Sequence, residues 1–200
     1  MARLSAEDRR VELVEATVRV AVAEGLDAAT VRRIAKEAGV PLGTVHYCFG
    51  SKAALISAVA DSIEQPLIDV SSLERLPTEE ALTAAFRAYW EQIGSDRRRQ
   101  LLIYELLAHL SRGGPESREI ARNLMDRVYG AVLDAVRRYA EDLGRTLPVD
   151  PELLARLIIA VTDGVSIAWI VTSDDARAQA IMEIFARLLA GVLDAQVDPA

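Results

Sequence analysis

Hydrogen-bond donors and positive charges cluster on two short segments between Thr30 and Lys52. An apolar pattern of helical spacing stops at Gly39, and a second helical segment runs from Pro41 to Phe49. Two short helices joined by a turn of three or four residues that contains glycine form a helix-turn-helix. The second helix of that motif enters the major groove of DNA. The chemistry that this segment could perform is therefore recognition of a DNA sequence.

The candidate DNA contacts are of two kinds. Lys52 begins a helix and would meet a phosphate, because the backbone N–H groups and the helix dipole there already favour an anion. Thr44 and Gly43 would face base edges, since threonine can contact bases and glycine permits close approach. Tyr47 is interpreted as a contact to the DNA backbone, and Arg32 either as a DNA contact or as a plain surface residue. The predicted DNA-binding set is Thr30, Arg32, Leu42, Gly43, Thr44, His46, Tyr47 and Lys52.

The net charge of −7 seldom accompanies DNA binding, but the distribution of charge matters more than its sum. Residues 30–60 hold four basic side chains and one acidic side chain. Residues 1–65 hold eight basic and nine acidic side chains, and the rest of the chain holds 15 basic against 21 acidic. A local positive surface on an acidic chain predicts specific binding with weak non-specific affinity, because the non-specific part follows the number of phosphates neutralised.

Composition narrows the class of protein. A chain of 200 residues that is 51% hydrophobic and only 5% aromatic suits an all-α fold with one or two parts. The sequence has no uninterrupted apolar run of the roughly 18 residues that a membrane span needs. The charged first ten residues do not resemble a signal peptide, and one cysteine cannot form an internal disulfide. We therefore expect a soluble cytoplasmic protein.

Apolar periodicity predicts helices in two groups. The first group runs from Ser5 to Pro66, with Gly25 ending its first helix and with Thr30 and Ser51 as N-caps of later helices. Residues 67–77 are interpreted as a linker. The predicted division is a helix-turn-helix DNA-binding domain at residues 1–65 and a helical bundle for ligand binding and dimerisation at residues 78–196. Five helices are predicted in the bundle. The first begins at Thr78, the second spans Arg97–Arg112, and the third ends near Gly144. The fourth runs from Leu153 to about Thr172, and the fifth runs from Asp174 to Val192.

The motif residues support a family resemblance. The run from Gly43 to Lys52, preceded by Ile34-Ala35 and by Ala38-Gly39-Val40, resembles the tetracycline-repressor (TetR) family over residues 9–60. The stretch from Asp163-Gly164 to Trp169, followed by a last helix with an acidic cap, is similar to the betaine-repressor-type C-terminal subgroup. The resemblance implies a homodimeric, ligand-responsive repressor with N-terminal DNA-binding heads. Because each chain has a single helix-turn-helix, we expect the dimer to bind a palindromic operator and to leave it when a small-molecule effector binds.

Aromatic and apolar side chains fall on three successive helices of the second group. Such stripes are usually core, but in this architecture three helices around a cavity are also where an effector would bind. Asp163 stands within an apolar helix, and a buried carboxylate is costly unless it is paired, so we expect it to meet a partner, a ligand cation or a subunit interface. The predicted effector-binding set is Phe86, Tyr89, Trp90, Tyr104, His109, Met125, Tyr129 and Asp163.

The last two predicted helices carry more apolar side chains than one bundle can bury. A large exposed apolar patch is a solubility liability, and pairing the two helices with those of a second copy across a twofold axis would cover it. The predicted dimer interface comprises Ile158, Val161, Val165, Trp169, Ile181, Ile184, Phe185 and Leu188.

Enzymatic motifs are missing from the sequence. It contains no Gly-x-Ser-x-Gly elbow and no Gly-x-x-x-x-Gly-Lys phosphate loop. His46 and His109 lack a second ligand at metal spacing, and Cys48 is interpreted as inert rather than as a redox sensor. We expect no catalysis, no cofactor and no metal. Two rival hypotheses stay open: a helical enzyme or carrier with a degenerate DNA-binding head, and an interaction protein whose last helices only assemble oligomers.

Overall fold

A computed structural model describes residues 5–63, 76–94, 96–142, 144 and 146–195. Over those ranges the regular secondary structure is entirely helical, which confirms the predicted all-α fold class. The predicted linker at residues 67–77 lies mostly outside the described ranges.

Local capping explains where the N-terminal helices begin. The Ser5 hydroxyl accepts the N–H of Asp8 at 3.0 Å, and the Asp8 carboxylate accepts the N–H of Ser5 at 3.2 Å, which forms a capping box. The hydroxyls of Thr30 and Ser51 cap the later helices as predicted. The resulting elements are α1 (Ala6–Glu24), a 3-10 turn (Leu26–Ala28), α2 (Val31–Glu37), α3 (Leu42–Phe49) and α4 (Lys52–Asp61).

The predicted end of the fourth helix at Pro66 is wrong, because α4 already ends at Asp61. The hydroxyl of Ser62 donates to the carbonyl of Val59 at 2.8 Å. A serine that bonds its own backbone offers the chain an alternative to helix, and this ends α4 before the proline is reached. Pro66 itself lies outside the described residues.

The remaining helices follow the predicted order. Asp150 accepts the N–H of Glu152 at 2.7 Å and Pro151 takes the first helical position, which together start α8. At the other end of α8, Ser173 adopts a left-handed conformation with φ 57°. The elements are α5 (Thr78–Gly94), α6 (Arg97–Arg112), α7 (Pro115–Asp142), α8 (Pro151–Thr172) and α9 (Asp175–Leu193).

Helix α8 is, in the described ranges, the one helix long and apolar enough to cross a membrane by length and composition. Core helices of soluble proteins meet the same criterion. The polar residues Thr162, Asp163 and Ser166 interrupt its apolar run.

The helices pack as two compact units that are discontinuous in sequence. The first unit combines Met1–Glu64 with Arg98–Met125, and the second combines Gln65–Arg97 with Asp126–Ala200. Helices α6 and α7 therefore contribute residues to both units. The functional domains predicted from the sequence, at residues 1–65 and 78–196, do not have the same boundaries as these two units, and they stay a prediction.

The core of the first unit joins distant parts of the chain. Leu13 of α1, Ile34 of α2 and Leu55 of α4 are fully buried in it. Side chains of α6 and α7, above all Leu106 and Leu124, fill the same core and are also fully buried. The helix-turn-helix thus shares one hydrophobic core with residues that follow it by more than forty positions in the chain.

The core of the second unit is aromatic at its centre. Trp90 of α5 meets Trp169 of α8 edge to face, with ring centroids 5.0 Å apart. Phe86 of α5 lies against Phe185 of α9 with centroids 5.3 Å apart. Such ring pairs contribute roughly 0.5–1.5 kcal/mol each beyond the area they bury, so they fix α5, α8 and α9 relative to one another.

Candidate nucleic-acid interface and ligand site

The turn between α2 and α3 is closed by the backbone. Gly39 has φ +64°, a left-handed conformation that glycine adopts without strain. The N–H of Val40 then donates to the carbonyl of Ala35 at 3.0 Å, which caps the end of α2. Val45 and Phe49, on the inner face of α3, are buried. The opposite face of α3 is therefore held outward on a rigid support.

The predicted DNA-binding residues lie at the surface of the first unit. Tyr47, two residues before the end of α3, is 87% exposed, and Thr44 is half-buried. Thr30 also has a structural role, because its hydroxyl accepts the N–H of Arg33 at 3.2 Å. The other members of the set are all exposed: Arg32, Leu42, Gly43, His46 and Lys52.

Arg33 does not contribute to the positive surface in the way that a charge count suggests. Its guanidinium is 2.6 Å from a carboxylate oxygen of Glu24 and 3.0 Å from one of Glu37. Glu37 also pairs with Arg19 at 3.3 Å. Hydrogen bonds to Glu24 and then Glu37 raise the pKa of Arg33, and those from Arg33 and then Arg19 lower the pKa of Glu37. The positive charge that α2, α3 and the start of α4 offer to a phosphate is therefore that of Arg32, Lys36 and Lys52.

Arg10 supports α3 from α1, a role that the sequence pattern did not indicate. Its guanidinium donates to the carbonyl of Cys48 and lies 4.6 Å from the ring centroid of Phe49. A cation at the carboxyl end of a helix satisfies a terminal carbonyl and complements the helix dipole. Arg10 and Cys48 are 38 residues apart, so no local pattern connects them.

A small polar cluster lies against the aromatic core of the second unit. The Tyr89 hydroxyl lies beside the hydroxyls of Ser166 and Thr162 and within the electrostatic reach of Asp163. Burial is the main cause that raises the pKa of Tyr89, and the Asp163 charge adds to it, although the neighbouring hydroxyls lower it. Ser166 Oγ is fully buried and makes no hydrogen bond of normal geometry to any described residue. A buried polar atom without a hydrogen bond is costly in a core, so its position calls for a functional explanation.

The predicted effector set has members in both units, and it stays a prediction. Phe86, Tyr89, Trp90, Tyr129 and Asp163 belong to the second unit, and Tyr104, His109 and Met125 belong to the first. One face of the Tyr129 ring is covered by the guanidinium of Arg156, 4.7 Å from the ring centroid. The Tyr104 hydroxyl accepts from the amide of Gln100 at 3.2 Å, and His109 is exposed. The sequence pattern missed Thr162 and Ser166, one turn apart on the same helix as Asp163.

The predicted dimer-interface residues divide by exposure. Val165 and Trp169 are buried in the second unit's own core, and Phe185 is half-buried against Phe86. Ile158 and Val161 are half-buried, and Ile181, Ile184 and Leu188 are exposed.

A longer apolar stripe is exposed on α8 and α9. Its members recur at steps of three or four residues, except for one gap on α8 at Ala160 and Gly164, so each set follows one helix face. The α8 part could not be found from the sequence, because a helix that is apolar all round does not reveal which face is covered by its own chain. The exposed stripe comprises Leu153, Leu157, Ile167 and Val171 on α8 and Ile181, Ile184, Leu188 and Val192 on α9.

The described residues contain no group of three or more His, Cys, Asp or Glu side chains arranged to hold a metal ion. The functional features are therefore an outward-facing helix-turn-helix in one unit and a hydroxyl, carboxylate and aromatic cluster in the other.

A rigid helix-turn-helix together with a separate helical unit defines the class of helical, DNA-binding transcription regulators. Residues 13–59 match the bacterial regulatory proteins of the tetR family, and residues 78–194 match the C-terminal region of BetI-type transcriptional repressors. The chain belongs to the TetR family, which confirms the resemblance found in the sequence.

The chain is similar over most of its length to known regulators and to solved structures. The chain is 29% identical over 183 residues to the HTH-type nicotine-responsive transcriptional repressor HdnoR of Paenarthrobacter nicotinovorans, covering 88% of this chain and 90% of that one. A crystal structure of a transcriptional regulator from Rhodococcus sp. Rha1 superposes with a TM-score of 0.72 at 22% identity, covering 94% and 98% of the two chains. The multidrug binding protein EbrR in complex with imidazole has a TM-score of 0.65 at 27% identity, covering 90% and 94%.

Membership in the family establishes the general function. The protein is a ligand-responsive, DNA-binding transcriptional regulator of the repressor type. TetR-family regulators bind operator DNA and small-molecule effectors, act as dimers, are typically cytoplasmic and are generally not enzymes.

Proposed function

We propose that two copies of this chain bind a palindromic operator, with one α3 in each of two major grooves, and leave it when an effector binds. The observation that carries the proposal is the outer face of α3, where Gly43, His46 and Tyr47 are exposed on a helix anchored by Val45 and Phe49. This intact support argues against a degenerate DNA-binding head. Residues on such a face can read base edges while neighbouring residues hold phosphates.

Selection of bound sequences from a random duplex pool tests the operator. We expect an inverted repeat whose half-site centres lie one helical turn apart or a small multiple of it, about 34–36 Å per turn. The complex should contain an even number of chains by analytical ultracentrifugation. A selected site without inverted symmetry, or one chain per duplex, would contradict the proposal.

The exposed stripe of α8 and α9 supports a dimer surface. Its eight large side chains are 40–80% exposed, and contiguous apolar patches of that kind mark interaction sites. Pairing with the same stripe of a second copy would form a four-helix bundle and give the two heads a fixed spacing.

Leu188→Asp tests this surface, because Leu188 is 66% exposed and its replacement costs little within one chain. We expect the variant to sediment as a folded monomer that has lost operator binding. Val11→Asp is the matched control, since Val11 is an exposed apolar residue of α1 in the first unit. The control should stay dimeric. A wild-type chain that sediments as a monomer at micromolar concentration would refute the dimer.

For the effector, we propose that the cluster of Tyr89, Asp163 and Ser166 binds a small organic amine with an apolar body. Ser166 Oγ and the Tyr89 hydroxyl can exchange hydrogen bonds with a ligand, and the Asp163 carboxylate favours a positive charge. The aromatic rings of Phe86 and Trp90 lie on the same helix as Tyr89 and would pack on the apolar body. The nicotine response of the relative HdnoR supports an amine as the ligand.

Thermal unfolding with nicotine as the probe tests the effector class. A ligand at 100 times its Kd adds about 2.7 kcal/mol to the free energy of unfolding, which shifts the midpoint by several degrees. Asp163→Asn should abolish the shift, and a neutral analogue with an amide in place of the amine should shift the wild type less. A panel in which neutral or acidic compounds stabilise the protein, and organic amines do not, would refute this proposal.

The mechanism that we propose is a coupling between the effector site and the DNA-binding surface. An effector that binds one arrangement of the helices about tenfold more tightly shifts the balance by about 1.4 kcal/mol. A tenfold loss of operator affinity is enough to free most of the operator when the repressor concentration is close to its Kd for DNA. Family membership further supports a cytoplasmic protein without catalysis.

A further inference from the structure

A carboxylate of α6 reaches the junction between α1 and α2. Glu105 Oε2 accepts the backbone N–H of Leu26 at 3.0 Å, and both residues belong to the first unit. Leu26 follows Gly25, whose φ of +90° turns the chain out of α1. The bond joins residues 79 positions apart and is partly buried. A hydrogen bond to an ionised group is roughly twice as strong as one between neutral groups.

Leu26 begins the 3-10 turn that leads into the helix-turn-helix. The N–H of Ala29 donates to the Leu26 carbonyl at 3.1 Å, and the N–H of Thr30 donates to the Ala28 carbonyl at 2.7 Å. Thr30 is the N-cap of α2. A displacement of Leu26 would therefore also displace Thr30, the first residue of the DNA-reading motif, because backbone hydrogen bonds connect the two.

Helix α6 is a firm anchor for this contact. Leu102 and Leu106, three positions before and one after Glu105, are buried in the same core as α1 and α2. Glu105 itself is half-buried. A displacement of α6 by about one residue, 1.5 Å along its axis, would separate the carboxylate from the Leu26 N–H.

We propose that Glu105 is a positioning residue for DNA recognition, holding the start of the 3-10 turn and thereby the orientation of α2 and α3. This inference rests on the proposed operator binding. It predicts an effect opposite to simple electrostatics. Removing a negative charge from the unit that binds DNA should tighten binding, whereas loss of the positioning contact should weaken it.

The test compares three variants in the full chain with the selected operator. Glu105→Ala loses the acceptor, and we expect operator affinity to fall about tenfold, in line with a lost hydrogen bond to a charged group. Glu105→Gln keeps an acceptor oxygen and should bind within about threefold of wild type. Glu119→Ala removes one exposed carboxylate from α7 in the same unit and is the matched charge control. The salt dependence of binding should be unchanged in Glu105→Ala, because no phosphate contact is lost.

A second readout does not depend on DNA. In Glu105→Ala the Leu26 amide should exchange with solvent faster than in wild type, and the amide NMR signals of α2 and α3 should shift. If no operator can be selected, the proposed function fails, and these signals still decide the role of Glu105. Unchanged exchange at Leu26, or unchanged signals in α2 and α3, would overturn the inference.

Equal or tighter operator binding by Glu105→Ala, relative to Glu119→Ala, would also overturn it. If Glu105→Ala does not fold, Glu105→Asp replaces it. Aspartate keeps the charge but shortens the side chain by one methylene, so a loss of affinity there cannot come from a change of charge. Wild-type operator affinity in a folded Glu105→Asp variant whose Leu26 amide exchanges faster than in wild type would refute the positioning role, because the contact would then be lost without any effect on DNA binding.

Discussion

Replacement of Leu106 by alanine should destabilise the helix-turn-helix, although Leu106 follows α3 by more than fifty residues. Leu106 is 0% exposed and shares the core of α1–α4. Truncating a buried leucine costs about 2–5 kcal/mol through lost transfer energy and the cavity left behind. The free energy of unfolding of a domain is about 5–15 kcal/mol, so this single change removes a large part of it.

Leu101→Ala is the matched control, since Leu101 lies on the same helix but is 40% exposed. We expect it to change stability by only about 0.5 kcal/mol. For a unit of this size each kcal/mol moves the unfolding midpoint by about 4–8 °C. Leu106→Ala should therefore lower the midpoint by about 8 °C or more, and Leu101→Ala should lower it by a few degrees at most.

Amide hydrogen exchange shows which helices lose stability in the variant. A tenfold change in an opening equilibrium corresponds to about 1.4 kcal/mol, so protection in α1–α4 should fall about 30-fold or more in Leu106→Ala. If α1–α4 keep wild-type protection while α6 alone loses it, Leu106 does not stabilise the core of α1–α4, contrary to this prediction.

Two further predictions concern the DNA-binding surface, and a third concerns stability at acid pH. Lys52→Ala should weaken binding to all sequences and reduce the salt slope by about one unit, whereas Thr44→Ala should relax the preference at one or two base pairs, as measured by titration and repeated selection. Equal effects of the two changes would contradict the division into phosphate and base contacts. The hydrogen bond from Arg33 lowers the pKa of Glu37 in the folded state. The pairing therefore stabilises the fold at pH values above the ordinary carboxylate pKa, and this stabilisation is lost as the pH falls through the lower folded-state pKa. Glu37→Gln should flatten the acid limb of a urea-unfolding pH series, and an unchanged limb would contradict that role.

The local features of the fold could be predicted from the sequence. Thr30, Ser51 and Asp150 act as N-caps because capping depends on residues within one helical turn. The turn at Gly39 follows from the conformational freedom of glycine. These signals were enough for the all-α class and the helix-turn-helix, because both are set by short-range chemistry.

Features that depend on distant contacts could not be predicted. Periodicity shows that α8 is apolar, but not that Trp169 turns inward to Trp90 while Val171 faces solvent. The contacts of Arg10 with Cys48 and of Glu105 with Leu26 join elements whose packing no local pattern specifies. The charge of Arg33 could be counted, but not its neutralisation by Glu24, which lies on a different helix.

The discontinuous first unit has a consequence for the order of events during biosynthesis. Ribosomes synthesise the chain from its N-terminus at roughly 5–20 residues per second. The helix-turn-helix emerges early, yet Leu106 and Leu124, which complete its core, are made about forty to sixty residues after Glu64. For about 2–12 s the nascent DNA-reading segment carries an open apolar face. Newly made chains should therefore acquire the DNA-reading surface only after α7 has begun to emerge, which makes this interval the point at which a nascent regulator most needs a chaperone.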